Sequence, residues 1–169
     1  MSKKVYLWVE LGLQTINDET AENFNRGYKF EVFKEGIKKL QDRGIEVVVH
    51  SIFGLPGETK EDMLKTIDYI AHSGAQGIKF HLLHLMKYTK MAEQYYNGEF
   101  ELLSEEDYID LICEGISMIP EDMVVHRLTG DAPRATLIGP MWSLKKWEVL
   151  NAIDKALVDR DIWQGKNFN

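Results

Sequence analysis

The sequence predicts an α/β fold of four βα units with parallel strands, on three observations. Four short runs are rich in β-branched, aromatic and leucine residues: Val5 to Leu11, Ile45 to Ile52, Ile78 to Leu85 and Met123 to Leu128. Helical patterns separate them, and connections of that length demand parallel pairing with right-handed crossovers. The central run Ile45-Glu46-Val47-Val48-Val49 is too uniformly apolar for an exposed antiparallel sheet. Four such units make either a small open sheet or half of a barrel.

The chain begins almost inside its first strand, with no helix ahead of it to cover one face. Either an N-terminal portion is missing, or the domain is complete and its edge is blunted by Lys3 and Lys4. A short helical stretch leads to Arg26, and a longer helix over Phe30 to Arg43 carries Phe30, Phe33, Ile37 and Leu40, with Gly44 as its C-cap. After the second strand, Pro56 fixes φ and Gly57 supplies φ > 0, the signature of a type II turn. Thr59 with Asp62 then caps a helix running through His72 and closed by Gly74. Ser104 starts another that ends before Pro120. The last, from about Ser143 to Asp161, places Leu144, Trp147, Leu150, Ile153 and Leu157 on one core-facing stripe. Leu128 to Trp142, rich in Gly and Pro, reads as a long functional or packing loop.

With 169 residues, 44% hydrophobic and 28% charged, the chain can bury one core and is read as one domain. Lys and Arg total 20 against 27 Asp and Glu, a net charge of -7, which argues against broad nucleic-acid binding. No apolar run approaches the roughly 18 residues of a membrane span, and Met1-Ser2-Lys3-Lys4 does not open a signal peptide, so a cytoplasmic location is expected. Cys113, the single cysteine, cannot form an intrachain disulfide or hold a metal cluster alone. Its apolar surroundings read as a buried helix face, with a reactive thiol as the rival. No metal ligands are assigned.

The candidate binding residues sit at strand exits, the edge where loops converge on ligands in parallel α/β sheets. Gln14 and Thr15 follow Gly12; they suit a ribose or an amino-acid head, or else tie down the loop. Arg26 is either a solvated surface group or a bidentate partner for a carboxylate. His50 interrupts an apolar strand four positions before Gly54, either as a satisfied core group or with its nitrogens toward ligand hydroxyls. The Gly54 to Thr59 segment lacks the Lys and Ser/Thr of a phosphate loop. His81 and His84 lie three apart, which strict alternation puts on opposite faces, poor metal spacing. His126-Arg127-Leu128-Thr129-Gly130-Asp131 gathers polar groups at the fourth exit.

Together, Glu10-Leu11-Gly12-Leu13-Gln14-Thr15, Asn25-Arg26 twelve positions beyond Gln14, and Ile52-Phe53-Gly54-Leu55-Pro56-Gly57-Glu58-Thr59 resemble the C-terminal half of a radical S-adenosylmethionine (SAM) enzyme. The likeness covers nearly the whole chain. It is to the subgroup of oxygen-independent coproporphyrinogen oxidases and elongator acetyltransferase subunits, and within it to a bacterial branch that shares the run His126 to Pro133. The resemblance implies half of a partial (β/α)6 TIM-like barrel, residues 1–169 being the C-terminal portion of a radical SAM domain. It implies ribose contacts from Gln14 and His50, the latter where relatives often carry an acid, a SAM carboxylate contact from Arg26, and an adenine region along Phe80 to Leu83, including His81. The CxxxCxxC loop that holds a 4Fe-4S cluster is absent from the sequence, so SAM and the cluster are expected of a longer parent enzyme, and the cluster not of this chain. The rival reading is a non-catalytic βα module that binds a partner protein or small metabolite. Open sheet edges predict self-association; the substrate is not legible.

Overall fold

The computed structural model describes residues 6–169; Lys3, Lys4 and Val5 lie outside them. The elements run β1 (Trp8–Gln14), α1 (Asp18–Asn23), α2 (Phe30–Gln41), β2 (Glu46–Phe53), α3 (Lys60–His72), β3 (Gly77–Leu82), β4 (Leu85–Met86), α4 (Lys90–Tyr96), α5 (Glu105–Met118), β5 (Val124–Arg127), β6 (Leu137–Gly139) and α6 (Lys146–Asp159), the last preceded by a 3-10 turn at Met141–Leu144. β1, β2, β3 and β5 form one parallel sheet in that order, the expected βα repetition. β4 and β6 form a separate antiparallel pair.

Local chemistry sets the boundaries. The Thr59 hydroxyl accepts from the Asp62 amide while the Asp62 carboxylate accepts from the Thr59 amide at 3.0 Å, a reciprocal cap worth about 1 kcal/mol. The Ser104 hydroxyl caps α5 by accepting from the Asp107 amide at 3.1 Å, and donates to the Asp107 carboxylate at 2.6 Å, without the reciprocal backbone bond. Gly44 and Gly74 follow α2 and α3 with φ of 66° and 74°, the left-handed backbone that ends a helix. The amide of Glu58 donates to Leu55 O at 3.2 Å, with Gly57 at φ 85°, as the Pro-Gly turn requires.

One face of the sheet is apolar and covered. Val47, Val49 and Phe53 of β2 and Ile78, Phe80 and Leu82 of β3 meet Phe33 and Ile37 of α2, Met63, Ile67 and Ile70 of α3, and Leu111 and Ile112 of α5. Each of these large side chains contributes on the order of 1.5–3 kcal/mol on burial, so a one-residue register slip would be prohibitive. Cys113 is fully buried in α5, and burial raises its thiol pKa. This is the inert packing role rather than the reactive one.

Three expectations need correction. The third strand stops at Leu82 instead of Leu85, and Leu85–Met86 leaves the parallel sheet to pair with Leu137–Gly139, so the Leu128 to Trp142 segment contains a strand. The first strand starts at Trp8, where pairing with Glu46 of β2 begins, and Tyr6 and Leu7 ahead of it are exposed. In α6 Ile153 and Leu157 of the expected stripe do pack on the core, joined by Val149, but Trp147 is 77% exposed. The 3-10 turn before α6 shifts the helix phase relative to one continuous helix from Ser143.

Candidate functional site

The other face of the sheet is polar. Alternation on β1, β2 and β3 turns Glu10, His50, Lys79 and His81 away from the helices, and these side chains meet across strands. The Glu10 carboxylate accepts from Lys79 Nζ at 2.6 Å and lies 2.9 Å from His50 Nε2. The Lys79 bond is the main reason its pKa falls to about 2. Burial depresses the His50 pKa despite Glu10, so at neutral pH the imidazole donates to the carboxylate as an uncharged group. The rings of His50 and His81 lie 5.0 Å apart.

At the C-terminal edge, β1 ends in a strained turn. Gln14 has φ 61°, and the Thr15 amide donates to Leu13 O at 2.8 Å, a three-residue γ-turn. The Gln14 amide is assigned with its nitrogen toward Gly12 O at 2.8 Å and Leu13 O at 2.9 Å. A Cβ on Gly12 would collide with the tip of that amide and push it aside, so glycine leaves room for this folded-back side chain. The Tyr28 hydroxyl also donates to Gly12 O.

Two of the expected ligand groups are committed to holding this turn. The Arg26 guanidinium, 2% exposed, donates to Leu13 O (2.9 Å), Thr15 O (2.6 Å), Tyr28 O (2.8 Å) and Asp18 Oδ1 (2.8 Å). It clamps β1 to α1 instead of facing the open edge. Thr15 is fully buried, and its hydroxyl donates to the Glu58 carboxylate, whose pKa burial raises. This contact joins the β1 exit to the Gly54-Leu55-Pro56-Gly57-Glu58-Thr59 segment. Gly54 has φ 85°, and its amide donates to Met63 Sδ at 3.1 Å.

Phe80 is fully buried against Phe53 on the helix-covered face, so only its backbone can approach a ligand from the open side. Leu83 lies past the end of β3, partly exposed, with its amide donating to Phe53 O at 2.9 Å. His81 and His84 do not diverge as strict alternation predicted. Because β3 ends at Leu82, His84 turns back, and a Cβ on Gly130 would touch both rings, His84 at 3.4 Å and His81 at 3.8 Å. Burial and neighbouring positive charge lower the His81 pKa to about 4, and burial lowers that of His84.

Lys79 escaped the sequence reading although period-two alternation already put it on the face of His81. Glu10 was read only as part of a motif. Tyr28 carried no signal, because its partner lies sixteen positions earlier on a strand edge.

The implied cofactors fit unequally. A 4Fe-4S cluster does not fit this chain, because its one thiol is fully buried in the helix-covered core. The open polar face beside the Gln14 turn and Gly54 does offer hydrogen-bonding groups of the kind a nucleoside needs.

The chain matches the radical SAM superfamily family model over residues 2–70 and the radical SAM C-terminal domain model over residues 75–159. Protein YtqA of Bacillus subtilis is 49% identical over 168 residues, which is 99% of this chain and 52% of YtqA. Protein YhcC of Escherichia coli K12 is 34% identical over 156 residues, 92% of this chain and 50% of YhcC. The chain therefore spans about half the length of these curated relatives. The solved structure of Methanocaldococcus infernus Elp3 superposes with a TM-score of 0.82 over 94% of this chain and 37% of Elp3, at 22% identity, a likeness of fold. By these matches the chain belongs to the radical SAM superfamily.

Proposed function

We propose that this chain supplies the distal half of the SAM site in a cytoplasmic iron–sulfur oxidoreductase of the radical SAM class, with the cluster thiolates carried by residues outside it. The observation that supports this reading is the γ-turn at Gln14, held from behind by Arg26 and joined to the Gly54 segment through Thr15 and Glu58. Strained, over-determined backbone at a parallel-sheet exit is characteristic of a ligand-contacting position. In this reading Gln14, His50 and His81 contact the nucleoside, Gly54 and Leu83 shape its entry, and Arg26 and Thr15 act as positioning residues.

Half a site binds weakly. NMR titration of the chain with SAM is expected to give a dissociation constant of roughly millimolar, because losing the partner half of a pocket costs several factors of ten at about 1.4 kcal/mol each. Gln14→Ala and Gly12→Ala, which displaces Gln14, weaken it further. Micromolar binding indifferent to both changes overturns the placement. The rival, a non-catalytic module docking a partner along the β1 edge, draws on the exposed Tyr6 and Trp8. Anaerobic reductive cleavage of SAM by a longer protein carrying the cluster cysteines excludes it.

A further inference from the structure

We propose that the open face of the sheet carries a binding site for an oxyanion, the carboxylate or phosphate group of a small molecule, centred on Arg127 and lined by Lys79, His81 and His84. The site is read from geometry and charge. Assigning its ligand to the substrate rests on the function proposed above.

The register of β5 builds it. Gly77 pairs with Val124 and Ile78 with Val125, but a bulge then brings Arg127 opposite Lys79. The ring of His126 fills the space that a Cβ on Gly77 would occupy, at 2.7 Å. One extra residue in β5 thus turns both His126 and Arg127 toward the polar face. Gly130, without a side chain, passes close over the His81 and His84 rings.

The charges on this face do not cancel. Glu10 is held by Lys79 and His50, and Asp131, the acid nearest Arg127 on the following loop, is bonded to Lys146 at 2.8 Å. Arg127 has no ion-pair partner among the described residues, yet its charge reaches both His50 and His81. His81 Nε2 and His84 Nε2 are buried without a hydrogen-bond partner. Both rings are uncharged at neutral pH, so each has one N–H to donate and adds no competing cation. An uncompensated guanidinium fork beside partly buried imidazoles is complementary to a planar or tetrahedral oxyanion. A cation would face net positive charge. Extended nucleic acid would meet a chain of net charge -7.

The test titrates the chain at constant ionic strength with inorganic phosphate and, separately, with acetate, following the imidazole Hε1 signals of His81 and His84. Saturable shifts of both signals are expected, with affinity reduced about tenfold or more in Arg127→Gln, as loss of a charge-assisted pair predicts, and partly kept in Arg127→Lys. Lys39→Gln, an exposed charge on α2, leaves the response unchanged. Tighter binding of phosphate assigns a phosphoryl ligand, and tighter binding of acetate a carboxylate. Linear, non-saturating shifts, or equal affinity in wild type and Arg127→Gln, overturn the proposal. The SAM titration described above is read through Gln14, which belongs to the nucleoside placement alone: a flat oxyanion titration beside SAM binding that Gln14→Ala weakens defeats this site alone, and a saturable oxyanion response beside SAM binding indifferent to Gln14→Ala and Gly12→Ala defeats only the nucleoside placement.

Discussion

Replacing Arg26 by alanine separates a clamp from a ligand contact. The guanidinium is 2% exposed and makes four hydrogen bonds to three backbone carbonyls and Asp18. Bonds from a charged donor are worth about 1.5–3 kcal/mol each, and removing one partner of a buried charged network costs about 3–5 kcal/mol. Part of the network survives truncation: Leu13 O keeps the Thr15 amide and Asp18 keeps the Phe30 amide at 2.6 Å. The carbonyls of Thr15 and Tyr28 lose the Arg26 donor. A loss of about 3 kcal/mol follows, which for a domain of this size lowers Tm by roughly 6–12 °C. Thermal unfolding followed by circular dichroism, with a urea series for the free energy, measures it. Arg26→Lys keeps the charge but not the fork, and recovers less than half the loss. A Tm within about 2 °C of wild type, or full rescue by lysine, refutes the clamp and returns Arg26 to the role of a carboxylate ligand.

Three further outcomes are expected. His81 has a folded-state pKa of about 4 against an ordinary 6.5, so the unfolded chain takes up its proton first. Its contribution is intact above about pH 6.5 and lost as pH falls toward 4, by about 1.5–2 kcal/mol once partial solvation is discounted. His81→Gln narrows the urea-midpoint difference between pH 7 and 4.5, and parallel pH profiles contradict this. Cys113 reacts with a thiol reagent only at the rate of unfolding, so fast labelling of the native chain refutes its burial. The β1 edge, with exposed Tyr6 and Trp8, promotes concentration-dependent self-association; light scattering of a strict monomer at all concentrations counts against it.

The four parallel βα units and the helix caps were legible because their causes are local. Thr59 and Asp62 stand three apart, Gly44 and Gly74 follow helical stripes, and Pro56-Gly57 specifies its own turn. The sites were harder to read because their partners are remote. Lys79 reaches Glu10 across 69 positions, and Arg26 reaches the carbonyls of Leu13 and Thr15 only after α1 folds back. His84 was misplaced because nothing in Phe80-His81-Leu82-Leu83 marks where pairing stops. Trp147 was misread because a helical stripe does not reveal a 3-10 turn at its start.

The folded-back amide of Gln14 has a thermodynamic consequence. Its hydrogen bonds to Gly12 O and Leu13 O are already made before any ligand arrives, so a hydroxyl that recruits the side chain exchanges one set of bonds for another. The net gain from such an exchange is small, about 0.5–1.5 kcal/mol, which is the modest weakening expected of Gln14→Ala. The residue therefore contributes discrimination more than grip: a ligand whose hydroxyl lies within the short swing of the amide completes the exchange, and one that misses leaves the amide where it was. Affinity must then come from contacts elsewhere in the complete site. Relaxing the left-handed backbone with glycine would ease the turn while removing the side chain that makes the choice.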